Sequence, residues 1–110
     1  MGVTKTDIFS EDVVRKAGFL KALGHPARLR IIEILLAEKT CICGSLVEEL
    51  GLAQATISQH LKALKDAGII QGNIEGTSVC YCLNEPVWNE LKALFQHLNQ
   101  PNPNSSNNCC

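Results

Sequence analysis

The stretch from Ser45 to Gly68 restricts the fold of this chain more than any other part of its sequence. Ser45 and Glu48 have the spacing of a capping box, which predicts the start of a short helix. Gly51 begins a turn, and a second helix is predicted over 54–67, where apolar residues recur at helical spacing. These apolar residues are Ile57, Leu61 and Leu64. Two short helices joined by a glycine turn predict a helix-turn-helix over about 44–68.

A β-hairpin is predicted directly after the helix-turn-helix. Residues 69–73 and 77–83 are rich in β-forming side chains and are separated by Ile74, Glu75 and Gly76. A hairpin in this place is a wing, over about 69–83. The order of elements therefore predicts a winged helix-turn-helix, mainly α with a β-hairpin wing, which is an α+β fold.

Three further helices are predicted, and they complete one domain over 1–98. The first runs over 10–23 and is capped by Ser10, the second begins at Pro26, and the last runs over 85–98. The first helix has inward or partner-facing residues at helical spacing, namely Val13, Val14, Ala17, Leu20 and Leu23. Those of the second helix are Leu29, Ile32, Leu35 and Leu36. Those of the last helix are Val87, Leu91, Leu94, Phe95 and Leu98. The remaining segment, 99–110, is polar and lacks periodicity, so we expect a flexible tail.

The composition narrows the class of protein. The chain has no apolar run that could span a membrane and no signal-peptide pattern, so we expect a cytoplasmic protein without a membrane partner. Its 10 Lys and Arg nearly balance its 11 Asp and Glu, so any attraction to nucleic acid must come from local pattern. In such a protein, six cysteines favour metal binding or redox sensing over structural disulfides.

The helix predicted over 54–67 carries polar groups suited to reading double-stranded DNA. Gln can bridge adenine edges, hydroxyl groups can bind base edges or phosphates, and Lys can neutralise phosphates. The residues that we predict to contact DNA are Gln54, Thr56, Ser58, Gln59, Lys62 and Lys65. The hairpin has no Lys or Arg, so weak wing contacts are expected. His60, at the edge of the apolar face, is predicted to make a structural hydrogen bond.

Three stretches of the sequence resemble the ArsR/SmtB family of metal-responsive winged-helix repressors, over roughly residues 11–98. They are KALGHPARLRIIEILL, TCICGSLVEELGLAQATISQHLKALKDAGII and EGTSVCYCL. The resemblance implies a homodimer built on the first and last helices, with 85–98 as the dimerisation helix. It also implies binding to an inverted-repeat operator and release of that operator when a thiophilic ion binds.

The resemblance further implies which ion is sensed. Arsenic-sensing members carry a C-V-C-D-L-C type motif before the turn; Cys41 and Cys43 match its first two cysteines, and the third falls on Leu46. Trivalent arsenic and antimony prefer three thiolates, so As(III) or Sb(III) is the expected inducer, with Cd(II) or Zn(II) as alternatives. The last helix lacks the spaced Asp and His ligands of zinc-sensing relatives.

A third ligand must therefore come from elsewhere, or the site has only two thiols, and two sources of a third thiol stay open. Cys109 and Cys110 end a tail long enough to fold back or to reach across a dimer. Cys80 and Cys82 share one face of the second wing strand, and in winged-helix folds the segment entering the helix before the turn commonly pairs with that strand. An extended C-x-C also places both of its thiols on one face. All six cysteines are candidate metal ligands.

Three other functions are weighed against the metal-responsive repressor, and one of them, a metal-buffering module with no DNA role, would leave Thr56, Ser58 and Gln59 unexplained. A repressor of the same fold can instead respond to oxidation or persulfidation of its cysteines. A thiol enzyme is not expected, because such enzymes use a low-pKa thiolate in a phosphate-type loop or a C-x-x-C motif at a helix start, and the sequence has neither.

Overall fold

The computed structural model describes residues 8–74 and 79–101, which form five helices and a three-stranded sheet. The helices are α1 (Glu11–Leu23), α2 (Pro26–Glu38), α3 (Val47–Leu50), α4 (Gln54–Asp66) and α5 (Glu85–Leu98). The strands are β1 (Ile42–Cys43), β2 (Ile70–Asn73) and β3 (Cys80–Leu83). This order confirms the predicted winged helix-turn-helix. No helix within these ranges is long and apolar enough to cross a membrane.

Two predictions concern residues outside the described ranges. One is the hairpin tip around 75–78, and the other is the end of the tail with Cys109 and Cys110. Inside those ranges the predicted ends of the helices agree closely with the structure. Ser10 caps α1 by accepting a hydrogen bond from the backbone N–H of Val13 at 3.1 Å, and Pro26 opens α2.

The sheet is antiparallel, with β3 in its centre and β1 and β2 at its edges. Ile42 of β1 pairs with Tyr81 of β3, and Gly72 of β2 pairs with the same tyrosine from the other side. The pairing of β1 with β3 confirms that the segment before the helix-turn-helix joins the wing strand.

The core lies where α4 packs against α2 and the sheet. The apolar face of α4 is as predicted, since Ile57, Leu61 and Leu64 are at most 1% exposed. Tyr81 of β3 and Leu91 of α5 are fully buried beside them. Helix α4 is therefore held from one side by the core, which leaves its other side to solvent.

The predicted core face of α2 is partly wrong. Leu29 and Leu36 of α2 are 51% and 43% exposed, and Ile31 is buried in their place. In α1, Leu23 is buried, Val13 is 53% exposed and stays available to a partner, and Phe19, which was not predicted, faces the core. Apolar residues occur on more than one side of each helix, so their spacing alone did not determine which side the core would cover.

The predicted capping box at Ser45 and Glu48 is also wrong. Helix α3 begins at Val47 with Leu46 in the cap position, and Leu46 makes no side-chain capping bond. The hydroxyl oxygen of Ser45 instead accepts a hydrogen bond from the backbone N–H of Val47 at 3.1 Å. Leu46 is 4% exposed within the core cluster, so packing decides where this short helix starts.

Replacing Tyr81 with phenylalanine is expected to stabilise the fold. The Tyr81 hydroxyl is buried and has no hydrogen-bond partner among the described residues, and burial, followed by the charge of Glu49, raises the pKa of Tyr81 to about 12. A buried polar group without a partner costs about 1–3 kcal/mol, so we expect Tyr81→Phe to raise the free energy of unfolding by about 1 kcal/mol. Urea denaturation of both proteins measures this difference. A less stable variant would contradict the expectation.

Candidate DNA-reading helix and cysteine cluster

Helix α4 presents the predicted DNA-contacting residues at the protein surface. The side chains of Gln54, Gln59, Lys62 and Lys65 are exposed, and Thr56 and Ser58 are half-buried at the flanks of the helix. Neither lysine forms a salt bridge with another described residue. Their ammonium groups are therefore available for phosphate, and contact with DNA stays a prediction.

A chain of hydrogen bonds connects the start of α3 to the DNA-reading helix. The hydroxyl of Ser45 donates to the Gln54 side-chain oxygen at 2.8 Å, and the Gln54 amide donates to the hydroxyl oxygen of Ser58 at 3.2 Å. Ser45 also holds the first turn of α3 through the N–H of Val47. One serine therefore contacts both helices of the helix-turn-helix. We call Ser45, Gln54 and Ser58 the polar relay.

Four cysteines lie together on the outer face of the sheet. Cys43 of β1 is directly opposite Cys80 of β3. Disulfides join Cys41 to Cys82 and Cys43 to Cys80, with Cα atoms 4.3 and 4.0 Å apart. Alternate residues of a strand face opposite sides, so Tyr81 points into the core and the four sulfurs point away from it. We call these residues the cysteine cluster.

In the cysteine cluster, Cys80 and Cys82 lie beside Cys41 and Cys43, so one of the two predicted sources of a third thiol is close to the first C-x-C pair. Cys41 and Cys43 are exposed, and Cys80 and Cys82 are half-buried. All four sulfurs are engaged in disulfides, and within residues 8–74 and 79–101 no three His, Cys, Asp or Glu side chains are arranged to hold a metal ion. Ion binding by any of the six cysteines therefore stays a prediction.

The position where arsenic-sensing relatives carry a third cysteine serves the core in this chain. Leu46 occupies it, is 4% exposed and packs in the hydrophobic cluster. The backbone N–H of Gly44, two residues before Leu46, donates to the carbonyl oxygen of Val79 at 2.9 Å. The chain between the cysteine cluster and α3 is thus held to the wing strand on one side and to the core on the other.

His60 of α4 makes the structural hydrogen bond that we predicted. Arg28 of α2 donates from Nε to Nδ1 of His60 at 3.2 Å and from another guanidinium nitrogen to the carbonyl oxygen of Ala22. The ring of His25, which caps α2, lies 4.3 Å from the His60 ring between centroids. Sequence reasoning did not identify these partners, because they come from a different helix and have no characteristic spacing.

Lower pH is expected to destabilise the fold through His60. Burial, followed by the charges of His25 and Arg28, lowers the pKa of His60 below its ordinary value of 6.5. The unfolded chain then binds a proton more readily, so the free energy of unfolding falls below about pH 6.5 and levels off beneath the folded-state pKa. Urea titrations above and below this pH should show a smaller fall for His60→Gln than for the native chain. The exposed His97→Gln is the control, and an equal fall in all three would contradict the assignment.

The chain is similar to known bacterial regulatory proteins. The family described as "Bacterial regulatory protein, arsR family" matches residues 25–71. The regulator Rv0081 of Mycobacterium tuberculosis is 35% identical over 79 residues, which are 72% of this chain and 69% of the relative. The transcriptional repressor SmtB of that species is 38% identical over 73 residues, which are 66% of this chain and 53% of the relative.

Two solved structures agree with the sequence matches. That of HlyU from Vibrio cholerae has a TM-score of 0.65 at 27% identity and covers 83% of this chain and 98% of its own. That of Rv0081 has a TM-score of 0.58 at 34% identity and covers 76% and 83%. Together with the winged helix-turn-helix, these matches show that the chain belongs to the ArsR/SmtB family of DNA-binding transcriptional regulators.

Proposed function

We propose that this protein is a repressor that releases its operator when As(III) or Sb(III) binds three of the four thiols of the reduced cysteine cluster. The observation that carries the proposal is the meeting of two C-x-C pairs, one from the segment 41–43 that contains β1 and one from β3, on one solvent-facing side of the sheet. Thiolates are the ligands that soft ions select. The reduced cysteine cluster supplies four thiols, whereas the motif before the helix-turn-helix supplies two.

The one-sided arrangement of the cluster suits a trivalent metalloid. As(III) and Sb(III) bind three thiolates in a pyramid, with a lone pair on the side away from the sulfurs. A sheet face offers all of its ligands from one side, so the lone pair points to solvent. Zn(II) takes four ligands distributed tetrahedrally around the ion, which one face of a sheet provides less well. The geometry therefore favours the metalloids over Cd(II) and Zn(II).

The coupling of ion binding to DNA binding follows the backbone from β1 into α3. An ion that changes the distance between β1 and β3 moves Gly44 and Ser45, which follow Cys43 in the chain. Ser45 holds the side chain of Gln54 at the start of the DNA-reading helix. Displacement of Ser45 therefore changes how Gln54 is presented to a base edge. Coupling of this kind is typically about 1–3 kcal/mol, or about 5- to 150-fold in affinity.

The proposed repressor acts as a homodimer on double-stranded operator DNA. Arg15 of α1 donates to both carboxylate oxygens of Glu90 of α5 at 3.0 and 2.8 Å, so the two helices lie side by side. Apolar side chains remain exposed on these helices: Val13, Leu20, Phe95 and Leu98. A second copy packed on this surface would remove these apolar side chains from water, and this gain supports the proposed dimer. A dimer presents two copies of α4 to the two halves of an inverted repeat.

A redox-responsive or persulfide-responsive repressor is the second candidate, and the two disulfides favour it. Oxidation joins the segment 41–43 covalently to β3 at two positions, whereas reduction leaves β1 and β3 held by hydrogen bonds and packing. The same path through Ser45 would then report the oxidation state of the cluster to α4.

Operator-binding anisotropy distinguishes the two candidates. The duplex is selected from random sequences with the reduced protein, and the reductant is a phosphine, which does not compete for arsenite as thiols do. We expect arsenite to weaken DNA binding by about 5- to 150-fold. If arsenite has no effect and the thiol oxidant diamide weakens binding, the redox repressor replaces the metalloid-responsive one. No response to either reagent would contradict thiol control.

Ser45→Ala tests the polar relay. The variant is expected to bind arsenite as the native chain does but to show less than about half of the native coupling free energy, because Gln54 loses the contact that reports on β1. Isothermal titration of arsenite and anisotropy with and without arsenite measure the two quantities. Ser10→Ala is the matched control, since it also loses a hydrogen bond to a helix N–H but lies on α1. Native coupling in Ser45→Ala would contradict the relay.

A further inference from the structure

A groove of about 490 Å³ opens beside one of the two disulfides. It lies between the end of α2, the sheet and the start of α5, and leucines from α2 and β3 form its apolar part. Cys41 and Cys82 line it, whereas Cys43 and Cys80 are not among the described residues that do. The two disulfides of the cysteine cluster are therefore in different surroundings. We call this space the thiol groove.

The thiol groove carries one charge of each sign. Lys39 follows the last residue of α2, and Glu85 is the first residue of α5. Neither side chain forms a salt bridge with any part of the chain that the structure describes. An ammonium and a carboxylate without partners can bind the carboxylate and the ammonium of one zwitterionic ligand.

The backbone at Lys39 gives a second reason to assign a role to this residue. Its φ is 59°, in the left-handed region, where it ends α2. Glycine is the usual residue at such a helix end, because a side chain there is strained. A long cationic side chain is present in spite of that strain, and it lies on the groove that the Cys41–Cys82 disulfide lines.

We propose that the thiol groove binds a low-molecular-weight zwitterionic thiol, which exchanges with the Cys41–Cys82 disulfide. The bound thiolate attacks one sulfur of the disulfide, a mixed disulfide forms, and the other cysteine leaves as a thiolate. A second molecule of the thiol attacks the mixed disulfide, which releases the oxidised small disulfide and leaves Cys41 and Cys82 reduced. Two small thiols thus supply the two electrons.

This assignment makes the thiol groove the entry point for reduction of the cysteine cluster. Cys41–Cys82 opens first, and Cys43–Cys80 follows once the strands are freer to separate. The regulatory meaning of this order rests on the proposed thiol control of the repressor. The exchange reaction itself does not, so it can be measured without DNA and without arsenite. Failure of the exchange and failure of thiol control are therefore separate results.

Reduced glutathione and uncharged 2-mercaptoethanol are the probes. The full-length protein is oxidised with diamide, each probe is added, and samples are alkylated at intervals for peptide mass spectrometry of each cysteine. We expect glutathione to open Cys41–Cys82 about tenfold faster than Cys43–Cys80, because opposite charges in a groove raise the local concentration of the ligand. Lys39→Gln and Glu85→Gln should each remove most of this advantage with glutathione and leave the 2-mercaptoethanol rate unchanged.

Lys21→Gln is the matched control, because it removes an exposed lysine of α1 that is not among the described residues lining the thiol groove. It should exchange with glutathione at the native rate. Equal opening of the two disulfides by glutathione would overturn the proposal, as would equal effects of Lys39→Gln on both probes. Failure of diamide to produce the Cys41–Cys82 bond would also overturn it.

Discussion

Gly72→Ala is expected to lower the free energy of unfolding by about 3 kcal/mol, because both strain and steric overlap act at this position. A Cβ at residue 72 would lie 2.8 Å from Cα of Tyr81 and would also overlap the carbonyl oxygen of Cys80. The φ of Gly72 is +133°, where residues with a side chain are strained. The variant must therefore move β2 away from β3 or change its own backbone, and either change loosens the strand that carries Cys80 and Cys82.

Urea denaturation monitored by circular dichroism measures this loss of stability. Gln71→Ala is the matched control, since Gln71 is the preceding residue of β2 and has an exposed side chain. It should stay within about 0.5 kcal/mol of the native chain. A Gly72→Ala protein that is too unstable to purify agrees with the expectation, whereas native stability would show that β2 does not approach β3 as closely as the structure has it.

The helix-turn-helix and the wing could be predicted because several local signals agree there. In α4 the apolar residues occupy one narrow stripe, and Ile57, Leu61 and Leu64 are all buried. In α2 the apolar residues extend around more of the helix, so spacing selected Leu29 and Leu36 where the core took Ala27 and Ile31. Which side of such a helix is buried depends on the elements that pack against it, and these are distant in sequence.

The cysteine cluster could be predicted in part, whereas the polar relay and the thiol groove could not. The i, i+2 spacing of each cysteine pair and the usual pairing of the segment before the helix-turn-helix placed four thiols on one face. The relay depends on where α3 starts, which the burial of Leu46 decides. Gly72 did carry a signal, because an isolated glycine in a strand often marks a close approach of another backbone.

Arsenite-induced release of operator DNA is expected to survive single serine substitutions in the cysteine cluster and to disappear in Cys43→Ser/Cys80→Ser. Each single variant keeps three of the four thiols, which is enough for one pyramidal As(III) site. The double variant keeps two, so the ion loses a ligand whichever thiols it uses. We expect the native change of about 5- to 150-fold in operator affinity to fall to no measurable change in the double variant.

The same anisotropy titrations separate the cluster from the tail as the source of the third thiol. Reduced Cys43→Ser/Cys80→Ser must bind the operator as tightly as the reduced native chain does without arsenite, which shows that the DNA-reading helix is intact. A chain truncated after Asn108 should respond to arsenite as the full chain does, because Cys41, Cys80 and Cys82 remain beside Cys43. If truncation abolishes the response and Cys41→Ser alone does so too, then the tail cysteines complete the site and the four-thiol cluster does not. A cluster of four thiols therefore predicts that each single serine variant still responds to arsenite. A site with only three thiols in total would lose the response when any one of them is replaced.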